Sequence, residues 1–428
     1  MDINQTRFAT KELDFLKSGS GGDSGSGQDK PVVTSPNRYA SDLIYSDKES
    51  SPVEQFKARL IQQGPFAEQV FSCCVFRIAE GADPDQTQKT EALLETFFTE
   101  HEHGFWEKLD DSLFAAALTG YSDTAQVRRA TAGLRGSLFE ALSTTVYTGA
   151  CVYPFRDYPI DEILDSAIKA LDHAGFFHGE EVTFFDAVSR NVCGDRLFQR
   201  NRLEDAQLEY KKGLEIDPGN INLLNSLGVC FGITGRLESA KAEFEKINRI
   251  APREVMAIYN LGLVFSLLKD TENAVACLQR ANRINNGIFE IELLLGNLLV
   301  QKGDPESALV HLENALGIKP DSSAPLRVKG DIFLEMDRPE DAEKEFSRSI
   351  KLNPSDAASL SGLARAFEVQ NKNIDIALTF ARKSTDIDPS NPLFRERLAR
   401  IHLKREEHDL ASREFEKANE KQQKIKSA

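Results

Sequence analysis

Long apolar runs are missing from this chain: no stretch of about 18 uncharged apolar residues occurs, and the opening MDINQTRFATKELDF holds no apolar segment of the signal-peptide kind. Membrane insertion is therefore not expected, and a cytoplasmic location is. Cysteine is sparse. Its six copies, Cys73, Cys74, Cys151, Cys193, Cys230 and Cys277, have neither the density of a disulfide framework nor the C-x-x-C spacing of a zinc or redox site, and they read as small apolar core residues. Basic residues are in deficit as well. Against 67 Asp and Glu stand 52 Lys and Arg, and the resulting net charge of -15 argues against a general nucleic-acid or anionic-membrane binder while leaving room for a local basic patch.

What is present suggests more than one compact body. The chain has 428 residues, 41% of them apolar, enough for two or three domains. Residues 1–50 read as an arm, mostly disordered, because its KSGSGGDSGSGQDK stretch (17–30) is too poor in apolar groups to repay its ordering entropy. Those glycines are no phosphate-cradling loop, since no buried strand precedes them and no Gly-Lys-Ser/Thr follows.

From 51 to 187 short apolar runs alternate with helical ones. Strands are predicted at 68–80 (EQVFSCCVFRIAE), at 103–109 and 112–120 as a pair joined at Asp110-Asp111, at 143–155 (STTVYTGACVYPF) and at 180–187; helices are predicted at 90–101, 123–142 and 160–176. The alternation implies one sheet with helices packed on it, an α/β sandwich. This order, with the strings TTVYTGACVYPF and DEILDSAIKALDHAGFFHGEEVTFF, resembles the catalytic domain of the diguanylate cyclase (GGDEF) family over about residues 66–187. The resemblance implies a sandwich of the nucleotide-cyclase type, a bacterial source and a signalling context.

The family's active-site strings are nevertheless absent. With Phe114 matched to the phenylalanine of the G-G-D-E-F turn, the preceding positions hold Asp110, Asp111, Ser112 and Leu113. Both glycines that let the hairpin approach a nucleotide, and both metal-facing acids, are replaced. The first strand lacks the family's aspartates, running Cys73-Cys74-Val75-Phe76-Arg77-Ile78, and His101-Glu102-His103-Gly104 stands where the Arg-x-x-Asp inhibitory site would be. The domain thus reads as degenerate, and no catalytic residue, cofactor or metal is expected. Asp110 and Asp111 read as acceptors for local backbone N–H groups, and His101 with His103 as a polar helix end rather than metal ligands. Two alternatives stay open: a guanine-nucleotide pocket kept without turnover, and an unorthodox metal site at Asp110-Asp111.

The second half is periodic. Gly194, Gly228, Gly262, Gly296 and Gly330 recur every 34 residues, each followed by an alanine (Ala206, Ala240, Ala274, Ala308, Ala342) and then by a large residue (Tyr210, Phe244, Leu278, Leu312, Phe346), while Pro218, Pro252, Pro320 and Pro354 close the units. Small residues at positions 8 and 20 let the two helices of a unit approach, position 24 is read as filling the gap to the next pair, and proline stops the second helix. Period and marks are those of the tetratricopeptide repeat, and residues 188–420 resemble that superfamily. Seven repeats are predicted, the sixth with Ala364 for glycine and an extra residue in its QNKNID loop, followed by a polar tail at 421–428. In the first repeat Arg190 replaces the usual Trp or Leu, which suggests that the sheet domain packs directly on it as a cap.

In that superfamily, positions 2, 5, 6, 9, 12 and 13 line the concave face. Mapped here they imply a groove of Asn225, Met256, Tyr259, Asn260, Leu293, Asn297, Arg327, Asp331 and Arg365, with Leu263, Leu267, Leu294 and Arg400 beside them. The amides would grip a peptide backbone, Tyr259 would stack on it, and Met256 and Leu293 would accept apolar side chains. Asn225 and Asn260 lack the Lys and Arg companions of the two-carboxylate clamp found in chaperone-tail binders. The sequence thus predicts a non-catalytic scaffold or adaptor holding a peptide or protein on its concave face. The alternative is a nucleotide-sensing signalling protein whose degenerate domain biases what the array holds.

Overall fold

The computed structural model describes residues 39–45, 51–62, 70–78, 84–101, 104–121, 123–177 and 182–427. The glycine-serine stretch 17–30 and most of the predicted arm lie outside them, as do His103, His178 and the side chain of His101. The chain divides into two compact units, Asp23–Cys230 and Phe231–Ala428.

In the first unit, helices α1 (Pro52–Gln62), α2 (Pro84–His101), α3 (Thr124–Leu142) and α4 (Glu162–Phe177) cover a five-stranded mixed sheet. Its strands are β1 (Phe71–Arg77), β2 (Gly104–Asp110), β3 (Leu113–Thr119), β4 (Tyr147–Tyr153) and β5 (Val182–Phe184), in the order β2-β3-β1-β4-β5. The central β1 runs antiparallel to β3 and β4, placing Cys73 opposite both Ala117 and Cys151, whereas β4 and β5 are parallel.

Every residue of β1 is buried, as befits a strand covered on both faces. Its period-two alternation sorts Cys73 and Val75 onto the face packed by Phe56 of α1 and Ile163, Ile168 and Leu171 of α4, and Cys74 and Phe76 onto the face packed by Leu94 of α2 and Val127 and Leu138 of α3. All six cysteines are free thiols, and burial pushes those of Cys74 and Cys151 up to about 12, so they stay protonated and inert. Gly149 lets α4 cross β4 closely: a Cβ there would lie 2.1 Å from the Leu171 backbone nitrogen. The strand expected at 180–187 is short because Asp186 leaves it to cap the next helix, accepting a hydrogen bond from the Ser189 amide at 2.9 Å.

That helix begins seven antiparallel pairs. They are α5 (Ala187–Gln199) with α6 (Leu203–Ile216), α7 (Ile221–Ile233) with α8 (Leu237–Ile250), α9 (Val255–Leu267) with α10 (Thr271–Ile284), α11 (Phe289–Gln301) with α12 (Pro305–Ile318), α13 (Ser323–Glu335) with α14 (Pro339–Leu352), α15 (Ala357–Val369) with α16 (Ile374–Ile387), and α17 (Pro392–Lys404) with α18 (His408–Ser427). The polar end read as a tail is helical through Ser427 as the continuation of α18. The division between the units falls inside α7, not at the end of β5, because the first pair is fastened to the sheet.

The fastening is ionic. Glu209 of α6 is 4% exposed and accepts hydrogen bonds from Lys169 of α4 at 2.8 Å, Arg190 of α5 at 2.7 Å and the Tyr45 hydroxyl at 2.8 Å. Beside it Asp172 of α4 accepts from the amides of Ala40 and Ser41 at 2.8 and 3.0 Å, from the Ser41 hydroxyl, and from Arg196 of α5 at 2.9 Å. Asp42 in turn binds Arg196 and Arg200. Arg156, in the loop before α4, donates to the last carbonyls of α6, Glu215 and Ile216, at 2.9 and 2.7 Å, a cation at a helix C-terminus. Burial raises the Glu209 pKa, but Lys169 and Arg190 outweigh it and hold the carboxyl down to about 2.

In the later repeats the position-8 glycines meet the large residue of their own repeat: a Cβ on Gly262 would lie 3.0 Å from Leu278, on Gly296 2.8 Å from Leu312, and on Gly330 2.7 Å from Phe346. Phe346 also touches Gly362 of the following repeat. Each turn between the two helices of a pair passes through a left-handed residue, Asn201, Gly235, Lys269, Gly303, Asp337, Asn371 and Glu406 in succession. The extra residue of the sixth turn is absorbed by a second one, Asn373.

Two outcomes follow. Glu209→Ala strands Lys169 as a buried unpaired charge and leaves Arg190 only its longer contact with Glu162 at 3.6 Å, which costs about 3–5 kcal/mol in urea denaturation. The depressed carboxyl contributes its full stability above pH 4.5 and loses it as pH falls from there toward 2, so the variant's stability is flatter than the parent's across that window. Gly330→Ala drives a methyl into the Phe346 ring and lowers stability by about 1–3 kcal/mol on the same measurement.

Candidate functional site

A cavity of about 1150 Å³ lies in the second unit. It is lined almost wholly by the first helices of five successive pairs, α9, α11, α13, α15 and α17. That follows from the repeat: the small residues of each pair turn inward to its partner helix, and the opposite face of the first helix is left for a ligand.

The lining is not uniform. The part from α9 and α11 offers Leu263, Leu267, Leu294, Val300 and the amides Asn297 and Gln301, and none of its helical residues is charged. The part from α13, α15 and α17 carries Arg327, Arg365, Arg397 and Arg400 with Asp331, Glu335 and Glu396. Counting Lys269, five cationic side chains face three carboxylates, a local excess of positive charge in a chain of net charge -15.

Pairing consumes part of that charge. Arg400 binds Glu396 at 2.7 Å, Arg365 binds Glu368, and Arg327 reaches Asp331 at 3.9 Å and Asp356 at 3.8 Å. Arg397 differs: it donates one hydrogen bond, to the Ser361 hydroxyl at 3.2 Å, and makes no ion pair among the described residues. Burial lowers its pKa, against the opposing pull of Asp331. Burial raises that of Asp331, against Arg327 and Arg397. The floor is thus a partly desolvated cation with unused donors, a place where an arriving carboxylate gains more than it would in water.

Of the residues predicted for the groove, Asn297, Arg327, Asp331 and Arg365 come together in this cavity, with Leu263, Leu267, Leu294 and Arg400. Asn225, Met256, Tyr259, Asn260 and Leu293 do not line it. Asn225 belongs to the other unit and Met256 is half-buried, while Tyr259 and Asn260 are 1% exposed and Leu293 is 8% exposed. Tyr259 and Asn260 therefore pack in the interior, and a peptide cannot stack on the one or be gripped by the other. The reason is geometric: the cavity lies over the C-terminal half of α9 but over the N-terminal part of α17. Arg397 and Glu396 were missed. They occupy positions 5 and 6 of the last repeat, in the same register that puts Arg400 at position 9.

The hairpin acids are engaged locally. Asp110 accepts from the Ser112 amide and hydroxyl at 2.8 and 3.1 Å, and Asp111 pairs with Lys108 at 3.1 Å. Leu113 and Phe114 point into the core. No group of three or more His, Cys, Asp or Glu among the described residues is arranged to hold a metal, and no helix among them is long and apolar enough to cross a membrane.

Residues 257–287 and 299–366 match tetratricopeptide-repeat family models. No curated protein matches the chain. Among solved structures it is similar to PilF of Pseudomonas aeruginosa (20% identity, 49% of this chain and 95% of that one, TM-score 0.45). It is also similar to a tetratricopeptide repeat protein of Parabacteroides merdae (18% identity, 55% and 92%, TM-score 0.46). A third is YrrB, described as a repeat protein with an unusual peptide-binding site (19% identity, 43% and 95%, TM-score 0.38). The family-model matches over 257–287 and 299–366 show that the chain carries tetratricopeptide repeats, a class whose members commonly mediate protein-protein interaction.

Burial separates packing from lining residues in a measurable way. Tyr259→Ala lowers stability by about 3–5 kcal/mol, whereas Arg400→Ala, at the exposed lip, changes it by less than about 0.5 kcal/mol, both read by chemical denaturation.

Proposed function

We propose that this protein is a non-catalytic scaffold or adaptor that captures a peptide or protein in the concave groove of its last five repeats. One observation supports the reading above others: the cavity is assembled from side chains of five consecutive first helices, with an apolar part and a cationic part on one continuous surface. An extended chain crossing the groove would meet both. The sheet domain acts in this reading as a degenerate cyclase-like cap on the first repeat, and the protein as a bacterial, cytoplasmic component of signalling. Its hairpin acids are spent on neighbouring groups, and no observation favours a retained nucleotide site.

A random peptide library panned against the full chain tests this. The parent enriches defined sequences, and Arg327→Glu with Arg397→Glu weakens them at least tenfold while the far-ultraviolet circular dichroism is unchanged. Failure to enrich any sequence, or enrichment indifferent to the double substitution, rejects the groove as the capture surface.

A further inference from the structure

Resting on that reading, we propose that the groove's occupant in the free protein is the chain's own segment Lys11–Leu16, bound in cis as a competitor of the outside partner. The argument starts from the surface. Arg397 sits on the groove floor with a single hydrogen bond, beside Arg327, Arg365 and Arg400, and next to a leucine-lined stretch from α9 and α11. A complementary ligand is an extended segment carrying carboxylates on one side and large apolar groups on the other.

The sequence holds such a segment outside the described residues. In Lys11-Glu12-Leu13-Asp14-Phe15-Leu16 the residue order is such that binding in an extended form would set Glu12 and Asp14 on one face and Leu13 and Phe15 on the other. Among the stretches outside the described residues, it is the one where two acids alternate with large apolar side chains. Neither glycine nor proline interrupts it, and β-augmentation is not needed, since side chains supply the recognition.

The 22 residues from Lys17 to Arg38 connect it to Tyr39, which belongs to the charge network around Asp42 and Arg196. Such a stretch spans at most about 75 Å. A tether of that length keeps its end at an effective concentration of the order of millimolar when it can reach its site. A weak segment then suffices to occupy the groove, and a partner must outcompete it.

The test uses the full chain and, as probe, a fluorescent synthetic peptide of residues 9–17. Glu12→Lys with Asp14→Lys vacates the groove, so the substituted chain binds the probe at least tenfold more tightly than the parent. Adding Arg397→Glu to the substituted chain abolishes that binding. Equal affinity of parent and substituted chain, or no binding by the substituted chain, overturns the proposal. A parent dimer in sedimentation that the substitutions dissociate also overturns it, by showing that the segment binds a second copy. Peptides selected by panning discriminate the two readings: if they bind the substituted chain and the 9–17 probe does not, the groove stands as a capture surface and the cis occupant falls.

Discussion

Glu209 and its three donors are the constraint on which the first unit depends. A tetratricopeptide pair has two broad faces, and the first pair of an array has no preceding pair to cover one of them. Here the cover is α4 of the sheet domain, and the contact is made through charge. Lys169 reaches from α4 and Arg190 from α5 to one carboxylate, while Asp172 gathers Arg196 and the amides of Ala40 and Ser41 a short distance away. Apolar contact accompanies this, since Ile216 and Phe185 pack against the cluster beneath α4. The apolar surface supplies area, and the charges select the orientation, because each remains compensated in one arrangement and would be stranded in others.

Much of this architecture is legible in the residues. The 34-residue period locates the helix pairs, since glycine and alanine recur where two helices touch and where a Cβ has no room, as at Gly330 against Phe346. The short apolar run of β1 and the turn at Asp110-Asp111 were equally plain, because a strand buried on both faces and a hairpin leave unambiguous marks. Arg190 at a position normally apolar correctly pointed to an unusual neighbour. A feature available in the same residues but not used is the left-handed position of each turn, where Asn201, Gly235, Gly303, Asp337 and Asn371 are types that tolerate positive φ.

The groove was less legible for a physical reason. A helix position fixes direction relative to the helix, not depth within the assembled stack. Tyr259 and Asn297 both stand at positions assigned to the concave face, yet the first is interior and the second lines the cavity, because the cavity runs from the C-terminal half of α9 toward the start of α17. Arg397 was obscured differently. At position 6 of the last repeat, in the register that puts Arg400 at position 9, it looks in the residues alone like any solvated helix cation, and its half-burial with one hydrogen bond emerges only in the folded stack.

Packing and recognition place opposite demands on neighbouring positions of the same helices. Position 8 must be small in every repeat, and it is Gly262, Gly296, Gly330, Ala364 and Ala399 from the third to the seventh. Position 9, one residue on, faces the cavity in all five and reads Leu263, Asn297, Asp331, Arg365 and Arg400. A residue freed from packing has no reason to repeat, and this one passes from apolar through amide and acid to cation along the array. Repetition of that kind in the small positions builds a rigid support, and variation in the adjacent ones gives the support a direction, so that a bound chain is read with its apolar and acidic groups in a defined order.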